Sequence, residues 1–531
     1  GDMADGGFWR LTGAQLLDGY ARREFSPVEV LEELFERAER LNPILHAFLA
    51  MNTEDARQAA KVAERQWLTP GEKPMLLGVP VSIKDTFEMR GLPTTYGSKA
   101  FADNFQDDAE MVHRLRVAGA VITGKTNTPE FALAGAINGK LTPPPTNPWD
   151  TERTPGFSSA GAGSSIAVGL GPLALGTDSG GSVRTPAAFC GIYTIKPTYQ
   201  RIPAVQEWRA GPDRSHTGPM TRTVRDSALL MQAVSGYDPR DPSSDLPDED
   251  YFGFATGNVR NKRVAVSYDL GGIAGEVDPE VTALIKDAAA LLRDLGCVIV
   301  EASPPVIETP EELEPGTWAY SGDHYHAAEI MRPDFYENHA DDLTDQLRPV
   351  YETGRRALAW QYRRIVRRNR LFEAEIKEWF RSYDFLLTGA VGPAPRIADI
   401  PLRIGRGGKV TGFLTLFNHA HIPAAAVPFG THSNGMPLSC YLGKAEIMDR
   451  VKDTVISSTF GGDTLALAAA KAVIDFYTTE PVIDTLWARG KQLHQGFHEH
   501  CQRLGVPAKF RGLPPLGMLS FEHSNSSDLL T

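Results

Sequence analysis

The chain has 531 residues, 42% of them hydrophobic and 23% charged, an ordinary globular balance that excludes wholesale disorder. That length accommodates one large α/β domain or several smaller ones. A formal net charge of −12 argues against a nucleic-acid partner or an anionic membrane surface, both of which favour clustered Lys and Arg.

In chain order, SPVEVLEELFERAERL (26–41) opens with Ser26 as N-cap, Pro27 at the first helical position and Glu29 closing a capping box. Val28, Leu31, Leu34, Phe35, Ala38 and Leu41 then fall on one face, so a helix is expected there, and a second over 54–66. LLGVPVSIK (76–84) and AVITGK (120–125) are short apolar runs that predict buried strands, with EMVHRLRVAGA (110–120) as the helix between them. RVAVSY (263–268), DPEVTALIKDAAALLRDLG (278–296) and CVIVE (297–301) repeat strand, helix and strand, with Asp278 as cap and Gly296 as stop. A long helix near 355–380, whose RRIVRRNR (363–370) reads as a solvated basic face, precedes the strand YDFLLT (383–388). The alternation predicts an α/β fold around a largely buried sheet.

Cys190, Cys297, Cys440 and Cys501 lie far apart with no Cys-x-x-Cys, so neither a disulfide framework nor a zinc site is indicated. Free thiols fit a reducing compartment. GDMADGGFWR at the start lacks the apolar core of a signal peptide, and no apolar run is long enough to span a bilayer. The expectation is a soluble, cytoplasmic protein without a membrane association.

Two small-residue segments raise the question of chemistry. TPGFSSAGAGSS (154–165) has the composition of a flexible linker or of a tightly packed backbone. LALGTDSGGSVRTPAAFCG (173–191) has an apolar approach, a GGS turn and an apolar continuation, which reads as strand, tight turn and buried chain rather than linker. A serine hydroxyl attacks well only when a base takes its proton and donors receive the oxyanion. Gly180 and Gly181 let backbone N–H groups converge just before Ser182, which makes Ser182 the leading nucleophile candidate, against the plainer reading of a turn serine.

No G-x-S-x-G elbow is present, and His113, His216, His324, His326 and His419 occur in unrelated contexts that read as surface or packing. Lys84 ends the apolar run GVPVSIKD, and burial disfavours the charged amine, so a neutral Lys84 could serve as base. The alternative is a structural salt bridge between Lys84 and Asp85.

GVPVSIKD, GKTNTPEFA (124–132), TNPWDTERTPGFSSAGAGSS (146–165), PLALGTDSGGSVRTPAAFCGIYTIKPT (172–198) and TGPMTRTVRDSALL (217–230) together resemble the amidase signature family of amide hydrolases. They occur in the family's order and spacing, and the resemblance spans roughly residues 8–443. It implies an α/β fold with a central mixed β-sheet flanked by helices on both faces. It also implies a Ser–cis-Ser–Lys triad, with Ser182 as nucleophile, Ser158 as the bridging serine after a cis peptide bond, and Lys84 as base. Backbone N–H groups of Ser179, Gly180, Gly181 and Ser182 would form the oxyanion hole. Asp178 and Arg184 would orient this loop, though both also read as an ordinary salt bridge, and Ser159 and Phe157 flank the bridging serine. The implied reaction is hydrolysis of a small-molecule amide, and by the same chemistry an ester or carbamate, through an acyl-enzyme with no metal or organic cofactor.

Two departures stand out. The family's usual GGSSGGS is GFSSAGA here, with Phe157 and Ala160 in place of glycines, and YDFLLTGAVGPAP lacks the proline that commonly follows the strand directly. The aromatic- and His-rich stretch 303–350 is where specificity is expected.

Beyond 443 the sequence resembles a fragment of a class III pyridoxal-phosphate aminotransferase of the glutamate-1-semialdehyde aminomutase kind. In that family NGMPLS follows the cofactor lysine, whereas GTHS precedes it here. Thr459 matches a phosphate-contacting threonine. The resemblance therefore divides the chain into an amidase domain (1–443) and a small α+β extension (444–531) without cofactor or catalysis. The extension is expected to hold helices over 464–478 and 480–504 and a β-rich end, and to offer a surface for a protein partner or a second copy. Three functions remain: amide hydrolase, ammonia-releasing component of an amidotransferase, and non-catalytic amidase-like scaffold.

Overall fold

The computed structural model describes residues 7–133, 139–203, 205, 214–247, 249–252, 259–305, 318–400, 413–431 and 437–443, and beyond them 495, 499, 502–503, 508–511 and 518–521. The capping box forms: Glu29 N donates to Ser26 Oγ at 3.3 Å and Ser26 N to Glu29 Oε2 at 2.8 Å. The helix it starts runs Pro27–Leu45, past the predicted end and through Pro43, because Leu41 and Leu45 continue its buried face.

Eleven strands form one sheet: β1 (Phe48–Met51), β2 (Pro80–Lys84), β3 (Val121–Thr126), β4 (Leu173–Asp178), β5 (Tyr193–Lys196), β6 (His216–Thr221), β7 (Arg263–Val266), β8 (Val298–Glu301), β9 (Phe385–Gly389), β10 (Ala424–Thr431) and β11 (Pro437–Gly443). Their order is β1-β3-β2-β4-β6-β5-β10-β11-β9-β7-β8. β2 is parallel to β3 and β4, and β7 to β8 and β9, while the strands between pair antiparallel, so the sheet is mixed. The helices Glu110–Val117 and Pro279–Asp294 are the crossovers of its two parallel units. Every residue of β2, β3 and β4 is buried, as expected where helices cover both faces of a sheet.

Three differences from expectation have physical reasons. The strand predicted from residue 76 begins at Pro80, because Gly78 turns the chain at φ +83° and lies so close to Pro27 that a Cβ would sit 2.6 Å from its Cγ. TPGFSSAGAGSS is packed, and Ala160–Ala167 is a helix. A Cβ on Gly161 would lie 2.1 Å from Ala47 O, and one on Gly163 would lie 2.9 Å from Pro186 Cβ, so only small residues fit. Two aromatics of the stretch expected to set specificity serve packing: Phe335 lies 5.3 Å from Phe101 and Tyr336 lies 5.9 Å from Tyr351, ring to ring, in one buried cluster.

In the extension, β12 (Ala508–Arg511) pairs antiparallel with β13 (Met518–Phe521), which is the predicted β-rich end. Helix 464–478, Thr459 and most of 480–504 lie outside the described residues. Among the described residues no helix is long and apolar enough to cross a membrane.

Candidate active site

β2 delivers Lys84 into the interior with no exposed surface. Its Nζ donates to Ser158 Oγ at 2.6 Å and to Thr177 Oγ1, on β4, at 2.9 Å. Burial pulls the amine down to about 7, with Asp178 opposing the shift. Among the described residues no carboxylate forms an ion pair with it. The alternative pairing with Asp85 does not occur: Asp85 Oδ1 lies 3.1 Å from Lys125 Nζ, and its other oxygen accepts from Thr95 N at 3.1 Å. The register explains this, since Ile83 pairs with Lys125 and Lys84 with Thr126. Alternation along a strand puts Asp85 on the Lys125 face and Lys84 on the other.

Ser158 is buried, and the Phe157–Ser158 peptide is cis. Ser159 ties this segment to the glycine turn, its N–H donating to Ser182 O at 3.0 Å and its hydroxyl to Thr177 O at 3.2 Å. The serine segment, Lys84 and the turn that bears half-buried Ser182 thus meet at the end of β4.

The turn between β4 and the helix Arg184–Cys190 is shaped by Asp178. Gly181 N donates to Asp178 Oδ1 at 2.7 Å, Val183 N to Oδ2 at 3.2 Å, and Arg184 forks onto both oxygens at 2.8 and 2.9 Å. Burial alone would raise the carboxyl, but the Arg184 charge and hydrogen bonds, with a further bond from Asn418, hold it well below the carboxylate range. Gly181 has φ +121°, and a Cβ there would lie 2.7 Å from Leu414 Cδ1, so this position demands glycine.

The two departures from the family pattern touch one another. Phe157 packs on Ile400 and Ile397 of the loop after β9. That loop docks on the serine-bearing segment through Thr154 N to Pro395 O at 3.1 Å and Ile397 N to Glu152 O at 2.9 Å. Phe157, Ala160, Ile397, Ile400, Pro144 and Asn127 are among the residues lining a cavity of about 20 Å³, room for about one water.

Among the described residues, the histidines singled out in the sequence supply no competing base. His113 and His326 are exposed, and burial lowers His216 well below its ordinary range and His324 to about 3. His216 Nδ1 faces Arg214 O at 2.7 Å and therefore donates to it. Thr177 and Asn418 were missed from the sequence. Thr177 stood inside the quoted GTDSGGS motif beside Asp178, whereas nothing local marked Asn418.

An α/β protein with a buried lysine on a serine hydroxyl beside an Asp-clasped glycine turn has the makings of an acyl-transfer enzyme. Residues 29–443 match the Amidase family model, and the chain belongs to the amidase signature family. It is 35% identical over 449 residues to the acylamidase of Rhodococcus erythropolis, covering 81% of this chain and 90% of that protein. The solved structure of 6-aminohexanoate cyclic dimer hydrolase superposes with a TM-score of 0.74 at 26% identity, covering 85% of this chain and 96% of that one. A component of the glutamyl-tRNA(Gln) amidotransferase of Anaeromyxobacter dehalogenans (strain 2CP-C) is 33% identical over 455 residues, covering 80% and 90%. Membership places the chain among enzymes of the amide C–N bond, hydrolases or amidotransferases.

Residues 404–529 match the class III aminotransferase model, overlapping the amidase match over 404–443. Within the overlap, β10 pairs with β5 and β11 with β9, so those strands are part of the amidase sheet. Pyridoxal phosphate does not fit here: the four residues before NGMPLS are GTHS, none of them a lysine, and Gly430 and Thr431 are held in β10.

Proposed function

We propose that the chain hydrolyses a small-molecule carboxylic amide with Ser182 as nucleophile, Ser158 as proton bridge and Lys84 as base. The observation that carries this reading is the 2.6 Å contact between Lys84 Nζ and Ser158 Oγ, made by an amine that has no carboxylate partner among the described residues and is lowered to about 7. Ser158 accepts the proton of Ser182 and passes its own to neutral Lys84, while Ser182 Oγ bonds to the carbonyl carbon. N–H groups of the Ser179–Ser182 turn receive the oxyanion. Gly181 N–H is committed to Asp178, so its part is to hold the turn. The ammonium of Lys84 returns its proton through Ser158 to the leaving nitrogen, the C–N bond breaks, and water then cleaves the acyl-serine by the same relay.

Asp178 and Arg184 fix the turn, and Ser159 and Phe157 fix the serine segment. No metal or organic cofactor enters these steps, and residues 444–531 take no part in them. Esters and carbamates fit the same chemistry. Screening acyl amides with the purified chain checks the reading: release of carboxylate and amine that vanishes in Ser182→Ala supports it, and turnover that survives Ser182→Ala overturns it. A second reading, a component of an amidotransferase that releases ammonia for a partner, is motivated by the 33% identity to such a component. It predicts co-purification with partner proteins and glutamine as the preferred amide.

A further inference from the structure

We propose that Asn418 is a positioning residue for the nucleophile turn, acting through Asp178 and Arg184. This role rests on Ser182 being the nucleophile. Asn418 belongs to the short helix Leu416–His419, is fully buried, and stands 240 residues along the chain from Asp178. Its Nδ2 donates to Asp178 Oδ1 at 2.8 Å and to Asp178 O at 2.9 Å, with Arg214 O further off at 3.3 Å. Its Oδ1 accepts from Arg184 Nη2 at 2.5 Å. The two amide hydrogens are thus used by the two shorter contacts. His216 Nδ1, 3.5 Å away, carries its own proton toward Arg214 O and does not accept.

A carboxamide offers a donor and an acceptor from one planar group, and this position faces an anion and a cation at once. An aspartate would turn a second carboxylate toward Asp178, and an apolar residue would leave both charges short of a partner. The consequence reaches Ser182 because Asp178 holds the N–H groups of Gly181 and Val183, the residues on either side of it. The same segment adds two further ties, Arg184 Nη1 to Leu414 O at 3.0 Å and Thr415 Oγ1 to Gly180 O at 3.3 Å. Asn418 is therefore the point where a distant segment locks the charge pair that shapes the turn.

The test uses the full chain, Asn418→Ala and Asn418→Asp, with Ser182→Ala as control. A fluorophosphonate measures the rate of Ser182 labelling by mass spectrometry, and an amide that the wild type turns over gives kcat and KM. The expected result is a labelling rate and a kcat lower by about 100-fold, the cost of a displacement near 1 Å, with a cooperative melt retained. KM should stay within about twofold, because Asn418 is fully buried and bonds to Asp178 and Arg184 rather than facing solvent. Should Asn418→Ala not fold, Asn418→Asp, of the same shape, carries the comparison. Wild-type labelling and kcat in a folded variant overturn the role of Asn418 while Ser182 stands. A loss that appears wholly in KM overturns it as well. Wild-type labelling on a residue other than Ser182 overturns the nucleophile assignment and, with it, this inference.

Discussion

Two lysines on adjacent strands, Lys84 at the end of β2 and Lys125 within β3, are both wholly buried, and the groups around them differ. Lys125 meets Asp85 at 3.1 Å, Phe87 O at 2.5 Å and Thr94 Oγ1 at 2.8 Å. Lys84 meets two hydroxyls. Burial lowers both amines, but at Lys125 the adjacent Asp85 opposes it by direct charge and hydrogen bond, while Lys84 has only the more distant pull of Asp178. A third buried lysine, Lys196, rests on the carbonyls of Ile422 and Pro197 and, among the described residues, has no hydroxyl to relay through. Burial alone therefore does not mark a base. What sets Lys84 apart is a buried amine with no carboxylate partner among the described residues, placed on the hydroxyl of Ser158, and on this the proposed mechanism rests.

The sharpest way to break this comparison is to exchange the readouts. Lys84→Ala should lower amide hydrolysis by about 1,000-fold or more, the scale expected when a nucleophile loses its base, as should Ser182→Ala. Lys125→Met should instead cost about 3–5 kcal/mol of stability in denaturant unfolding, because Asp85 is left buried and unpaired. Adding Asp85→Asn to Lys125→Met should recover most of that loss. Equal activity loss with unchanged stability at both lysines would erase the distinction.

Phe157→Ala should lower stability by about 3 kcal/mol, the low end for a buried phenylalanine, because it empties the contact with Ile397 and Ile400. It should also shift the ranking of acyl amides while leaving hydrolysis measurable.

The mildest effect concerns pH. In the proposed mechanism Lys84 acts as base only when neutral, so kcat/KM should rise about tenfold per pH unit below 7 and level off above it. For stability the sign follows from a folded amine near 7 against an unfolded one near about 10.4. Between those values the unfolded chain holds a proton that the folded chain lacks, so the Lys84 contribution grows as pH rises through that window. Lys84→Met should flatten that part of the pH–stability curve in calorimetry.

Much of the candidate site was legible because its parts are local. Asp178, Ser182 and Arg184 share one turn, Ser158 and Ser159 one segment, and Lys84 ends one apolar run. The Ser26 capping box and the parallel strand–helix–strand units were legible for the same reason. What escaped depended on distant approach. The helix Ala160–Ala167 forms from residues that include two glycines, poor helix formers, because close contacts with Ala47 and Pro186 select small side chains. The Lys125–Asp85 pair needs the β2–β3 register, and Asn418 needs the whole sheet to bring it to Asp178. The loop after β9 departed from the family pattern in sequence, but its partner, Phe157, emerged only in three dimensions.

The central claim is that neutral Lys84 activates Ser182 through Ser158. The most direct measurement is the pH dependence of Ser182 acylation by a fluorophosphonate, followed by intact mass and peptide mapping in wild type and Lys84→Ala. The account predicts a single labelled residue, Ser182, with a rate that rises through an inflection at about pH 7 and loses both magnitude and inflection in Lys84→Ala. Labelling of Ser182 at the same rate and pH profile in folded Lys84→Ala would contradict it.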